Sequence, residues 1–258
     1  MQNIRYFILL IGLVCVSFHL QAETGDRTTY PKYGPEGNPL AVPLSRSNTF
    51  LRSTANPAPD FWRLIPYYVP QITGGSCSVA TVAMIVNGFT RSGRKLKDAD
   101  TIVTQTDLLD RVTRHPWKKR RGLSLRQLEG VLRESLEIYG VADADIRRVA
   151  ITRDTPEDLT AFRRILETNE QSAQDFLVLH YLQDTVTRSP GGPYPHISPV
   201  GAYDRQHRKV LILDVDRKWY EPHWVSDAVL LKAMSGKTRA FGHGGYLVIR
   251  VKTSSGPT

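Results

Sequence analysis

The chain has 258 residues, a formal net charge of +9 and two cysteines. One of them, Cys15, lies in the N-terminal segment described next, and removal of that segment would leave a single cysteine, so we expect that disulfides do not hold this fold. Part of the charge lies in a basic run, residues 118–121, which lacks the interleaved aromatic side chains of a nucleic-acid surface. We interpret the run as a solvated loop, with attraction of anionic substrates or of an acidic membrane surface as alternatives, and expect no nucleic-acid partner.

The N-terminal segment, residues 1–22, has the pattern of a secretory leader. Arg5 precedes an apolar run over residues 7–16, and a polar exit ends at Ala22. The run is too short to span a bilayer, although an uncleaved anchor helix is the alternative interpretation. We expect a periplasmic or secreted protein without stable membrane insertion after leader cleavage, because the rest of the sequence has no other long apolar stretch.

Residues 23–58 are rich in Pro, Gly, Ser, Thr and Asn, which predicts an extended lead-in to one folded domain over residues 59–252 and a tail over residues 253–258. The predicted helices start at Cys77, at Ser124 with a capping box to Gln127, and near Thr155, with a fourth over residues 225–234. The predicted strands cover residues 176–182, 197–203, 209–215 and 245–251. Helices followed by an antiparallel sheet indicate an α+β fold.

Cys77 is the one thiol that remains after the leader, and it lies at the start of an apolar helix. A helix N-terminus carries partial positive charge and free amide donors, and both favour a thiolate. The alternative is an inert side chain in a core of alanine and valine. Gly74 and Gly75 favour a nucleophile, because two glycines before a helix let a ligand backbone approach closely. Gly75 and Ser76 are therefore candidate substrate-binding residues.

A thiolate nucleophile needs a base, and the histidines differ in their surroundings. His180 lies in an apolar strand and is interpreted as a core residue. His223 and His243 lie in predicted turns and stay open as alternatives. His196 opens a strand directly after the flexible segment 189–195, which makes it the favoured base.

A carboxylate partner for His196 follows from hairpin geometry. We assume that Tyr203 pairs with Lys209 across their connecting loop, so that Ser198 faces Asp214. His196 then lies on the same face as Asp214, one diagonal step away and within reach of a hydrogen bond. Asp214 is flanked by apolar residues, where an unpaired carboxylate would be costly. A slip of one residue in the register would separate this pair.

Cys77, His196 and Asp214 thus form a nucleophile, a base and an orienting carboxylate. Acyl transfer also requires hydrogen-bond donors for the oxyanion. The amide of Cys77 is one donor and Gln71 is the predicted second, with an ordinary loop glutamine as the alternative. We predict no metal site, because the thiol is single and the histidines do not occur in i, i+4 pairs.

Several segments of the chain resemble those of phytochelatin synthases. These are residues 67–71, 77–80 and 86–87 around the nucleophile, 122–128 in the middle, 196–203 around the histidine, and 213–215, 220 and 222–225 beyond it. The likeness preserves their order and spacing. Gln183 departs from the family pattern, which has an arginine at this place, and the arginine for a γ-glutamyl carboxylate is assigned to Arg239.

The resemblance implies a papain-like fold in which Cys77, His196 and Asp214 are the catalytic triad and Gln71 helps to form the oxyanion hole. It implies glutathione as acyl donor. Cys77 would attack the Cys–Gly peptide carbonyl, glycine would leave, and a γ-glutamylcysteinyl thioester would remain for water or a second glutathione. No cofactor is implied, since cadmium and similar ions would act as glutathione thiolates. The implied partners are glutathione and its metal complexes, with a homodimer as an open alternative.

Two other functions are kept as alternatives. One is a papain-like peptidase or amidase for another substrate, such as a cell-wall peptide. The other is a binding protein that keeps the fold and lacks catalysis. Release of glycine from glutathione, compared with hydrolysis of a peptide panel, tests the first alternative, and an acyl group on Cys77 would exclude the second.

Overall fold

A seven-stranded antiparallel sheet lies at the centre of the structure, with helices packed on both of its faces. The computed structural model describes residues 32–34, 39–91, 97, 100–114, 117, 122–141 and 143–251. The predicted leader over 1–22, the first part of the lead-in, the basic run over 118–121 and the predicted tail over 253–258 lie outside these described residues.

The described strands are β1 (Ala41–Pro43), β2 (Ala144–Ala150), β3 (Asp175–Leu182), β4 (Pro195–Asp204), β5 (Lys209–Ile212), β6 (His223–Ser226), β7 (Lys237–Thr238), β8 (Gly242–His243) and β9 (Gly245–Val251). Seven of them form the central sheet in the order β1-β6-β5-β4-β3-β9-β2, and β7 pairs with β8. Each of these strand pairs is antiparallel.

The described helices are α1 (Thr49–Arg52), α2 (Pro59–Leu64), α3 (Cys77–Thr90), α4 (Gln105–Arg111), α5 (Leu125–Ile138), α6 (Pro156–Asn169), α7 (Gln183–Thr187) and α8 (Asp227–Ser235). Helix α5 starts as predicted, because Ser124 and Gln127 form a reciprocal capping box. Helix α6 starts at Pro156, after the N-cap Thr155. Within the described ranges, no helix combines the length and the apolar character needed to cross a membrane.

Two apolar cores lie on opposite faces of the sheet, because successive side chains of a strand point in opposite directions. In β3, Phe176 and Val178 join the core that contains residues of α2 to α5. Leu177 and Leu179 join the core that contains residues of α6 and α8. The prediction of an α+β fold is confirmed by this arrangement of helices around an antiparallel sheet.

Helix α3 is buried on all of its faces, as its run of small and apolar residues predicts. Every residue of α3 before Phe89 is buried. The hydroxyl of Thr81 donates to the carbonyl of Ile197 (3.1 Å) and ties the helix to β4. A Cβ atom at Gly88 would lie 3.1 Å from the ring of Phe176, so the absence of a side chain lets α3 approach β3 closely. The N-terminus of α3 is thereby held beside β4.

The helix predicted over residues 225–234 starts too early. Val225 belongs to β6, where it pairs with Ala41 of β1, and α8 begins only after the N-cap Ser226. Strand β6 lies inside the sheet, between β1 and β5, so its apolar residues are buried. A short apolar run of a buried strand cannot be distinguished by pattern from the buried face of a helix, which explains the difference.

The hairpin of β4 and β5 has a different register at its loop from the predicted one. Tyr203 pairs one residue further along β5 than predicted. The register then shifts by one at Gly201, where β4 carries an extra residue as a β-bulge. Beyond the bulge Val200 lies opposite Ile212, which is the offset that was predicted. Two deviations of one residue therefore cancel before the end of the hairpin that carries His196.

The strand predicted over residues 209–215 is also shorter than expected, since β5 ends at Ile212. The chain continues beside β4 for at least one more residue, because the amide of Leu213 donates to the carbonyl of Pro199 (3.0 Å). Asp214 therefore lies just beyond the strand, still next to β4.

Candidate active site

Cys77 is a free thiol at the first position of α3 and is 6% exposed. The first amides of a helix have no acceptor within the helix, so the Cys77 N–H lies among the free donors at this end of α3. The Cys77 side chain lies close enough to the ring of His196 to contribute to the raised pKa of that histidine. Both residues line one cavity. The structure therefore brings the predicted nucleophile and the predicted base together.

The imidazole of His196 is fixed by hydrogen bonds and by ring packing. Its Nε2 lies 2.9 Å from Oδ1 of Asp214 and 3.1 Å from the hydroxyl of Ser198. Because a carboxylate only accepts, Nε2 carries the hydrogen shared with Asp214, which leaves Nδ1 for Cys77. The ring of Tyr181 packs edge-on against the imidazole, with centroids 5.7 Å apart. The predicted hydrogen bond between His196 and Asp214 is confirmed.

Burial and ion pairing act in opposite directions on this pair. Burial lowers the pKa of His196, but the charge and hydrogen bond of Asp214, with a contribution from Cys77, raise the pKa well above its ordinary value. Burial alone would raise the pKa of Asp214, but the charge of His196 holds that pKa below its ordinary value. The site thus favours an imidazolium beside a carboxylate, which is the state required after a histidine has taken a proton from a thiol.

Three further groups hold Asp214 in one orientation. Nε2 of Gln183 donates to Oδ2 (3.1 Å), and the amide of Asp216 donates to Oδ1 (2.8 Å). The hydroxyl of Tyr68 donates to the main-chain carbonyl of Asp214. Each oxygen of the carboxylate therefore accepts at least one hydrogen bond, and rotation of the carboxylate would break several of them at once.

The role of Gln183 is not evident from the sequence, where this residue stands out only as a departure from a family pattern. It is 5% exposed and is the first residue of α7, immediately after β3. The pairing of Leu182 with Pro195 places it beside the end of β4 that carries His196. A prediction that β3 pairs with β4 in this register would have placed Gln183 next to His196.

The loop that carries Gln71 is held on both sides of that residue. Gln105 of α4 donates to the carbonyl of Pro70 (2.8 Å) and accepts from the amide of Ile72 (3.2 Å). Gln71 lines the cavity together with Cys77. Burial raises the pKa of Asp216, and the nearby side chain of Gln71 acts in the opposite direction. Gln105 was not among the predicted site residues, because its partners are backbone groups far away along the chain.

The cavity above Cys77 has a volume of about 960 Å³, which is large enough for a short peptide. Its lining includes Gln71, Gly74, Gly75, Cys77, His180, His196, Asp216, Lys218 and Trp219. Three predicted catalytic residues therefore face one cavity, and the fourth, Asp214, lies behind His196.

The predicted substrate-binding residues have different surroundings. Gly75 lines the cavity. The hydroxyl of Ser76 is turned away into its own loop, where it accepts from the amide of Thr73 (2.8 Å) and donates to the Thr73 carbonyl (2.9 Å). Arg239 is exposed in the turn between β7 and β8 and does not line the cavity. The structure thus brings Gly75, but neither the Ser76 hydroxyl nor Arg239, to the site.

The remaining candidate bases lie outside the cavity or are neutral. His223 and His243 donate through Nδ1 to main-chain carbonyls of Glu221 and Ser235, and neither lines the cavity. Nδ1 of His223 also lies 3.9 Å from Oδ2 of Asp214, so His223 is a buried neighbour of that carboxylate. His180 lines the cavity, but burial lowers its pKa to about 4, as expected for a core histidine. In the part of the chain that the structure describes, no group of three or more His, Cys, Asp or Glu side chains is arranged to hold a metal ion.

The comparisons with known proteins agree on one family. The sequence profile of phytochelatin synthase matches residues 42–244. Glutathione gamma-glutamylcysteinyltransferase 3 of Lotus japonicus is 27% identical over 205 residues, which cover 73% of this chain and 37% of the relative. Glutathione gamma-glutamylcysteinyltransferase 1 of Arabidopsis thaliana is 26% identical over 188 residues, or 70% of this chain and 36% of the relative. The chain thus spans less than two-fifths of the length of these relatives.

Proposed function

The chain belongs to the phytochelatin synthase family, and we propose that it is a cysteine-dependent acyltransferase or hydrolase that acts on glutathione. The observation that carries this proposal is the contiguous set of Cys77, His196 and Asp214 at a cavity of suitable size. The names of these relatives describe transfer of a γ-glutamylcysteinyl group from glutathione. The antiparallel sheet with α3 packed against it is consistent with the papain-like fold of this family.

In the acylation half-reaction, His196 accepts the thiol proton of Cys77. The sulfur then attacks the carbonyl carbon of the Cys–Gly peptide bond of glutathione. The amide of Cys77 and the side chain of Gln71 donate hydrogen bonds to the resulting oxyanion. The C–N bond breaks as His196 returns its proton to the nitrogen of glycine, which leaves. A γ-glutamylcysteinyl thioester on Cys77 remains.

In the deacylation half-reaction, His196 removes a proton from the attacking nucleophile, and Asp214 stabilises the imidazolium. Attack by water releases γ-glutamylcysteine. Attack by the α-amine of a second glutathione forms a new peptide bond and lengthens the product by one γ-glutamylcysteine unit. In both cases the C–S bond breaks and the proton on His196 returns to the sulfur of Cys77.

Incubation with glutathione, followed by mass spectrometry of protein and products, tests this function. We expect glycine, γ-glutamylcysteine or its polymers, and a γ-glutamylcysteinyl adduct on Cys77. A parallel incubation with cadmium tests whether metal–glutathione complexes are also substrates. If neither glycine nor the adduct forms while a panel of other peptides is cleaved, the protein is a peptidase or amidase of different specificity.

We propose a periplasmic or secreted location for this activity, based on the leader pattern of residues 1–22. Fractionation of cells that produce the full-length chain, with N-terminal sequencing of the recovered protein, tests the location and the cleavage site. Light scattering of the same preparation distinguishes a homodimer from a monomer.

We expect Gln71→Ala to lower kcat for glycine release by roughly a hundredfold, the typical cost of removing one oxyanion-hole donor. The exposed Gln206→Ala is the matched control, because Gln206 lies in the loop between β4 and β5, away from the cavity. Steady-state kinetics of both variants provide the measurement. An unchanged kcat in Gln71→Ala would exclude Gln71 from the oxyanion hole.

We expect Gln183→Leu to lower kcat by roughly tenfold, because the hydrogen bond that it removes goes to a charged, buried carboxylate. Loss of this donor raises the pKa of Asp214, so the acid limb of the pH–rate profile moves to higher pH. Gln183→Glu should be slower still, since it places a second carboxylate against Asp214. A Leu variant with a wild-type pH profile would show that Gln183 has no influence on the charge of Asp214.

A further inference from the structure

Two lysines bring positive charge to the cavity above Cys77. Lys32 and Lys218 both line it, and both are exposed. Among the residues that the structure describes, neither lysine forms an ion pair with a carboxylate. Lys32 also precedes the residues matched by the family profile, which begin at residue 42. The family pattern therefore does not account for this cation at the site.

The segment that carries Lys32 is anchored next to the active site. The carbonyl of Tyr33 accepts the amide of Leu40 (3.0 Å), and its hydroxyl accepts the amide of Glu221 (3.1 Å). The ring of Tyr33 contacts the rings of Tyr220 and His223, with centroid distances of 5.8 Å and 5.6 Å. Lys32 is thus placed at the cavity by a neighbour that packs on the chain just after Asp214.

Lys218 is placed by the same part of the chain. Its Nζ lies 5.2 Å from the centroid of the Trp219 ring, a cation–π distance that leaves its hydrogen-bond donors available. Asp216 is the one acidic residue among the described lining residues. Burial raises the pKa of Asp216, and the side chain of Gln71 and the charge of Lys218 act in the opposite direction. One carboxylate can balance only one of the two lysines, so the cavity keeps positive charge for an anion from a ligand.

The proposed reaction brings such an anion to this side of the cavity twice. The glycine that leaves carries a carboxylate on the carbon next to its nitrogen. The γ-glutamyl α-amine of an entering glutathione has a carboxylate in the same position. His196 exchanges a proton with the reacting nitrogen in both steps, so both nitrogens must occupy one place beside His196. Lys218 lines the same cavity as His196, and its segment of the chain follows Asp214, which is bonded to the His196 ring.

We propose that Lys32 and Lys218 form one α-carboxylate subsite, which binds the leaving glycine and then the entering α-amino acid group. This inference rests on the proposed function and specifies its leaving-group and acceptor side.

A pair of substrates that differ in one charge tests the subsite. Glutathione and its C-terminal amide, γ-glutamylcysteinylglycinamide, have the same scissile bond, and only glutathione has the glycine carboxylate. For the double variant Lys32→Ala/Lys218→Ala we expect kcat/KM to fall roughly tenfold with glutathione, as for two exposed ion pairs, and less than about twofold with the amide. Lys232→Ala, an exposed lysine of α8, is the control and should leave both values unchanged.

Partition of the acyl-enzyme provides the second arm. We expect the wild-type protein to transfer the γ-glutamylcysteinyl group to glycine in preference to glycinamide, and the double variant to lose that preference. Equal losses with both substrates and an unchanged preference would overturn the subsite while leaving the proposed function intact. A wild-type protein that forms no glycine and no acyl-enzyme would overturn the proposed function, and the subsite with it.

Discussion

We expect Cys77→Ser to abolish glycine release from glutathione, with a fall in kcat of about 10⁴-fold or more, as for loss of the nucleophile in other triad enzymes. A serine hydroxyl is nearly isosteric with the thiol but far less easily ionised, so the change removes the nucleophile and leaves the packing of α3 intact. The measurement is glycine release over hours, together with the intact mass of the protein after incubation with glutathione. No acyl adduct should form.

Cys77→Ala and His196→Ala should give the same loss and thereby define the residual rate without the Cys–His pair. Thermal unfolding and circular dichroism of the two Cys77 variants should match those of the wild type, because Cys77 contributes only a small side chain to its core. His196→Ala should keep the circular dichroism spectrum and unfold at a lower temperature, because it leaves the buried carboxylate of Asp214 without its partner. Glycine release by Cys77→Ser at more than about a hundredth of the wild-type rate would mean that another group is the nucleophile.

The second large effect is expected for Asp214→Asn. We expect kcat to fall on the order of 10³- to 10⁴-fold without loss of the fold. The carboxylate is the buried countercharge of the His196 imidazolium, and an amide of the same shape cannot replace that charge. The pKa of His196 should therefore fall, because burial then acts without the opposing effect of Asp214.

NMR titration of the His196 ring measures this pKa change directly, independently of turnover. Asp227→Asn is a suitable control, because Asp227 is also a buried aspartate in a charged hydrogen-bond pair, with Arg163, but lies away from the cavity. It should affect stability and leave the His196 titration unchanged. An Asp214→Asn variant with wild-type turnover would contradict the orienting role of Asp214.

The elements with strong local signals could be predicted from the sequence. Helix α3 has small and apolar residues on every side, and the capping residues Ser124 and Thr155 mark the starts of α5 and α6. Strand β2 was not predicted, because Arg147 and Arg148 interrupt its apolar pattern. It lies at the edge of the sheet and pairs with one neighbour, β9. Edge strands tolerate charged residues and therefore lack the pattern of a buried strand.

The site was predictable where its residues share a helix start or a hairpin, as for Cys77, His196 and Asp214. Gln183, Gln105 and Lys32 belong to segments whose approach to the site depends on sheet order and on packing between distant parts of the chain. No local periodicity marks them. The hairpin prediction had the wrong register at the loop but placed Asp214 correctly. It missed the extra residue at the loop end and also the bulge in β4, and these two omissions cancel.

The bulge at Gly201 also determines where insertions and deletions can be accepted during evolution. Strand β4 pairs with β3 on one side and with β5 on the other. After deletion of Gly201, the end of β4 that carries His196 could stay aligned with only one of its two neighbouring strands. A shift of one residue would also turn the imidazole to the opposite face of the sheet. Length changes in the loop over residues 205–208 lie on the far side of the bulge, so descendants of this sequence should vary there and conserve the length of β4.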